Sequence, residues 1–157
     1  MSGFDVTVTG DEAYVRKLEQ LQLHLADLRN FWGLLVPLVH SWTAAQFDTS
    51  GSWGGEIWEP LSPTYAAWKA QHYPGKSILI REGTLRRAAS EMRREQTPRT
   101  LVMWIDDPVA GYHQEGDESR GLPARPLIPD PLPESARIEV EAAAHEYVSV
   151  LVARIGL

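Results

Sequence analysis

A chain of 157 residues, 43% of them hydrophobic, has the size and apolar content of one domain with one core, so a single domain over 1–157 is expected. Its formal net charge of −6 disfavours a protein that wraps nucleic acid, because phosphate affinity comes from clustered Lys and Arg that release counterions. The lack of cysteine excludes disulfides, thiolate chemistry and the usual structural zinc sites, and no run approaches the roughly 18 apolar residues of a membrane span.

Six Trp and 23% charged residues argue for an ordered protein, while 11 Pro and 12 Gly imply long connections. No charged segment followed by an apolar one opens the chain, so a soluble protein used inside a cell or a particle is expected.

Phe4, Val6 and Val8 alternate with Asp5, Thr7 and Thr9, the period of a half-buried strand over 3–9 that stops at Gly10. Asp11 then reads as an N-cap, and Tyr14, Leu18, Leu21, Leu25 and Leu28 recur at helical steps. The pattern resumes from Phe31 through Leu34, Leu35, Leu38, Val39 and Trp42 to Phe47. Pro37 lacks an N–H and its ring crowds the preceding turn, so it should kink or break this second helix. Two packed helices, or one bent pair, are expected between about 11 and 47.

SGSWGG at 50–55 reads as a flexible loop. Ser62 and Pro63 form an N-cap and first helical residue, with Tyr65, Ala66, Trp68 and Lys69 continuing a short helix to about Gln71. Another short helix should start near Glu82 and run through Leu85, Ala88, Ala89 and Met92. TLVMWI, within 99–105, is the strongest strand candidate, bounded by Pro98 and by Asp106-Asp107-Pro108. Six of the eleven prolines fall in 107–133, which predicts an extended arm bound largely to another subunit. Ala136, Val140, Ala143, Ala144, Tyr147, Val148, Leu151 and Ile155 then line a C-terminal helix over 134–155, ended by Gly156. The elements together predict an α+β fold: a small, mostly antiparallel sheet holding 3–9 and 99–105, with an N-terminal helical pair and a C-terminal helix beside it.

Five histidines share no ligand spacing, so no metal or cofactor is expected. His113 with Glu115, Asp117 and Glu118 has the residue types of acid–base chemistry, but a polar loop around Gly116 and Gly121 is the favoured reading, as no nucleophile motif or phosphate loop accompanies it. Among Trp53, Trp58, Tyr65, Trp68 and Tyr73, core packing suits Trp58 and Trp68, while Trp53, between Ser52 and Gly54, suits an interface anchor. Arg81, Arg86, Arg87, Arg93, Arg94 and Arg99 are interleaved with Glu82, Glu91 and Glu95, which favours a solvated face over a polyanion site. In Pro123-Ala124-Arg125-Pro126, two prolines fix the backbone around one guanidinium; it either reaches a partner or pairs with a local carboxylate such as Asp130.

The order Trp58, Pro60, Leu61, Ser62, Tyr65, Lys69, then Leu79, Gly83, Leu85, then His113, Gln114, Gly116, then Pro123, Ala124, Arg125, Pro126 resembles the phage virion morphogenesis family, the tail-completion proteins of Mu-like and related tailed phages. The resemblance covers roughly 28–130; Glu82 and Leu127 depart from a pattern that often has Thr and Phe there. It implies a non-catalytic structural protein of the virion, assembled in the host cytoplasm. Such a protein acts in tail completion or as a tail terminator, in a ring at the neck that joins the tail to the head connector. A homo-oligomeric ring follows, a hexamer favoured and a dodecamer the alternative, with neck, connector and tail-tube or sheath proteins as neighbours, DNA only as passing genome, and no membrane. Trp58, Tyr65, Lys69, His113, Gln114, Pro123, Arg125 and Pro126 are the implied interface residues. The competing readings are a head-side connector, a small hydrolase or nuclease using His113, and a peptide-binding module using the tryptophans.

Overall fold

The computed structural model describes residues 10–157, so the strand expected over 3–9 lies outside the described residues. Among the described residues, six α-helices and a two-stranded antiparallel sheet make an α+β fold, as the sequence pattern predicts. In chain order they are α1 (Asp11–Ala26), α2 (Arg29–Asp48), α3 (Pro63–His72), α4 (Thr84–Ser90), β1 (Arg93–Gln96), β2 (Leu101–Trp104), α5 (Ala110–Glu115) and α6 (Glu134–Ile155). None of these helices is long and apolar enough to cross a membrane.

The N-terminal pair divides two residues before α2 rather than at Pro37, through which α2 runs unbroken. Asp27 is extended and accepts from the Arg29 backbone N–H at 3.1 Å and from Arg29 Nε at 2.9 Å, which starts the second helix. The Leu28 N–H donates to the Pro98 carbonyl at 2.8 Å and Trp32 Nε1 to the Thr97 carbonyl at 2.8 Å, so the turn of the β hairpin holds the junction. Leu28, predicted to close the first helical stripe, therefore sits in the break.

Helix α6 packs along both α1 and α2, with the rings of Phe31 and Tyr147 5.5 Å apart and Trp42 Nε1 donating to Glu139. Helix α1 buries none of its residues; Lys17 Nζ ties it to the Gly156 carbonyl at 2.6 Å.

Strand β2 matches the predicted 99–105, with Arg93 opposite Trp104 and Gln96 opposite Leu101. Its partner β1 is not read from sequence, because the polar RREQ run carries no alternation; all four of its residues are exposed. Thr97 turns the hairpin, its Oγ1 accepting from the Arg99 and Thr100 N–H groups at 3.2 and 3.0 Å.

The core joins Phe47, Trp58, Leu85, Ala89, Ala110 and Leu127, flanked by Ile78, Leu79, Ile80 and Ile105. Phe47 and Trp58 meet edge to face, 5.5 Å apart at 86°. Two of the six core residues, Ala110 and Leu127, come from the segment expected to be an extended arm, so 107–133 folds over its own core instead of standing off it. Ala110 opens α5, a short 3₁₀ turn follows at Glu118–Arg120, and Leu127 is only 1% exposed. Proline fixes local φ but does not say which way the chain travels; here it returns across its own core.

Candidate functional site

The family-like blocks, distant in sequence, fold into one hydrogen-bonded knot. Arg125 Nε donates to the Glu59 carbonyl at 2.8 Å and Nη2 to the Pro60 carbonyl at 3.1 Å, while its backbone N–H donates to the His113 carbonyl at 2.6 Å. The Pro126 carbonyl accepts from Trp58 Nε1 at 3.0 Å and from Gln46 Nε2 at 2.8 Å. Gln114 uses both ends of its amide, donating to the Ile128 carbonyl at 2.7 Å and accepting from the Leu127 and Ile128 N–H groups at 2.9 and 3.1 Å.

Gly116 lets the two strands of this knot approach. Its φ is 77°, and a Cβ there would stand 2.8 Å from the Ala124 nitrogen. The 50–55 loop, read as flexible, is pinned to the same knot: Gly54 N–H donates to Gln46 Oε1 at 2.9 Å and Trp58 N–H to the Ser50 carbonyl at 2.8 Å. Gln46 was missed by sequence reading, although Thr43, Gln46 and Phe47 share one face of α2 and all three are buried. That shared face was the available signal.

Within the protomer Arg125 is engaged on backbone carbonyls and makes no ion pair with Asp130. Lys69, 5% exposed, donates to the Ser77 carbonyl from within α3, whose start Ser62 caps as predicted, accepting from Tyr65 N–H at 3.4 Å. Tyr65 and Trp68 stack 5.5 Å apart on the outer face of α3 and are 40% and 39% exposed, so Trp68 is not the core residue it was expected to be. Trp58 is, at 2%. Trp53 is half-buried and stacked 6.2 Å from Trp42 rather than projecting as an anchor.

A cavity of about 460 Å³ lies between α3, α4, α5 and the 121–125 segment, reached by Tyr65, Lys69, Leu79, His113, Leu122 and Arg125 among others. Burial pushes Lys69 below its ordinary range and does the same to Arg125, where the charge of Glu59 acts in opposition. His113 is pushed below its usual value by burial and then by the Arg125 charge, with Asp107 opposing both. Its Nδ1 is buried without a hydrogen-bond partner.

The acid–base group imagined around His113 is not assembled. Asp117 is held by Ser119 and, at 3.2 Å, by Arg120, and Glu115 and Glu118 are exposed. Among the described residues no group of three His, Asp or Glu side chains is placed to hold a metal ion. In the arginine-rich span Arg81 faces the interleaved Glu82, while Arg86 and Arg93 pair with Asp48 and Asp106 from outside the span, all three pairs being solvent-exposed. The arrangement can bind and position; it presents two desolvated cations to a cavity with apolar walls.

The chain matches no known family model, no curated protein and no solved structure.

Proposed function

We propose that this chain is a structural, non-catalytic protein of a tailed-phage virion, working at the neck in tail completion or as the tail terminator. It assembles in the host cytoplasm as a homo-oligomeric ring, a hexamer favoured and a dodecamer the alternative, between the head connector and the tail tube or sheath. The observation that carries this reading is the motif string itself. Its blocks converge in the fold: Trp58 donates to the Pro126 carbonyl, Arg125 to the Pro60 and His113 carbonyls, and Gln114 holds the chain just after Pro126 through residues 127 and 128.

Two further features support it. Tyr14, Val15, Leu18 and Leu25 of α1 and Ile138 and Val150 of α6 leave apolar surface exposed, as a subunit that packs against copies of itself would. The net charge of −6 repels phosphate and favours passage of DNA through a ring whose arginine-rich 81–99 span faces away from the bore.

The experiment is deletion of the gene from its phage with electron microscopy of the particles, alongside native mass spectrometry of the purified protein. Unjoined heads and tails and a closed oligomer are expected. Intact infectious particles without the gene, or a protein that stays monomeric, would sink the reading.

A further inference from the structure

Lys69 and Arg125 are 5% and 3% exposed, yet among the described residues neither has a carboxylate within 4.0 Å. Buried charges are ordinarily paired, because an uncompensated one is costly. Each here is met only by backbone carbonyls, one at the Lys69 ammonium and two at the Arg125 guanidinium, which leaves donors of both groups unused. Both line the 460 Å³ cavity, where His113 adds an unpartnered buried Nδ1. The acidic groups nearby are otherwise placed: Glu82 pairs with Arg81 at the rim, Asp107 accepts from the Val109 N–H, and the Glu59 side chain is exposed.

We propose that this cavity is a seat for an acidic side chain from a second copy of this chain, its carboxylate taken by Lys69 and Arg125 and its methylene stem by Leu61, Leu79 and Leu122. The inference rests on the ring reading and names the contact that closes it. The protomer has already desolvated both cations, so an incoming carboxylate meets them in a low-dielectric site where Coulomb attraction is strong. The apolar walls fit a short aliphatic stem. A chain with 21 Asp and Glu residues against 15 Lys and Arg offers such a side chain from its own surface, and a pocket on one copy filled by a distant patch of the next is the heterologous contact from which rings are made.

The test supplies the carboxylate in cis. Val109 and Thr84 line the cavity and are exposed, so Val109→Glu and Thr84→Glu each place an acid at the site without disturbing the core. Sedimentation velocity is compared across the parent, both Glu variants and the neutral control Val109→Gln, with thermal melting to confirm folding. Sodium butyrate serves as the free probe, followed through the ring signals of His113 by NMR. The expected result is a self-associating parent, Glu variants weakened on the order of 30-fold or more, a Gln variant within a few-fold of parent, and dissociation by butyrate. Should one Glu variant fail to fold, the other and the butyrate competition decide.

An oligomer unchanged in every folded Glu variant and indifferent to butyrate overturns the inference and leaves the ring reading standing. A monomeric parent overturns both; if butyrate then shifts the His113 signals, the site takes a free carboxylic acid instead.

Discussion

The guanidinium of Arg125 donates to the carbonyl of Pro60 at 3.1 Å across sixty-five residues of chain, and Nε of the same group takes the carbonyl of Glu59. One side chain thus closes the loop between α2 and α3 onto the proline-rich return of the 107–133 segment. Since the contact lies within the protomer, its loss should first be felt in folding.

Arg125→Lys keeps a charge but loses the planar fork that serves two carbonyls at once. A loss of about 1–3 kcal/mol is expected in urea unfolding at a protein concentration held fixed against the parent. A variant as stable as the parent would show that the two carbonyl bonds contribute nothing.

Gln114→Ala strands two N–H groups and one carbonyl of residues 127 and 128, so a cost of about 2–4 kcal/mol is expected from unsatisfied buried groups. Gln114→Glu keeps an acceptor for the two N–H groups but at pH 8 sets a carboxylate oxygen against the Ile128 carbonyl, so it too should destabilise, and a Glu variant as stable as the parent would contradict the assigned amide orientation.

Leu127→Ala tests whether the 107–133 segment belongs to its own core. Leu127 is 1% exposed and packs with Phe47, Trp58 and Leu85, so truncation should cost about 2–5 kcal/mol. Limited proteolysis of the parent should also leave 107–133 uncut. Rapid cleavage there with near-parent stability of the variant would restore the detached arm.

The pH dependence has a definite sign. His113 is held below its ordinary value near 6.5, so between the folded and unfolded values the unfolded chain binds more protons. Its contribution to stability is complete above about pH 6.5 and is lost as pH falls through the lower folded value. The urea midpoint of the parent should drop between pH 7.5 and 5.5 more than that of His113→Asn; parallel drops would assign the dependence to other groups.

Much of the helical frame is legible in the residues. The apolar stripes of α2 and α6 and the Ser62-Pro63 start of α3 read directly, because helical period and capping are local properties. The RREQ strand does not read, since a strand exposed along its whole length is specified only by its partner LVMW. Nor does the fate of Arg125. Flanking prolines state how rigidly it is held, but its acceptors are the carbonyls of Glu59 and Pro60, and any residue supplies a carbonyl. The break at Asp27 likewise depends on a hairpin turn about seventy residues away, where the Pro98 carbonyl waits for the Leu28 N–H.

That latch has a mechanical meaning for α1. The helix is fixed at its far end by the Thr97-Pro98 turn, through Leu28 and Trp32, and on its first half by the Lys17 ammonium on the last turn of α6. With none of its residues buried, it is held to the molecule at two polar anchors, one beside the hairpin turn and one on α6, and not by the core of Phe47, Trp58 and Leu127.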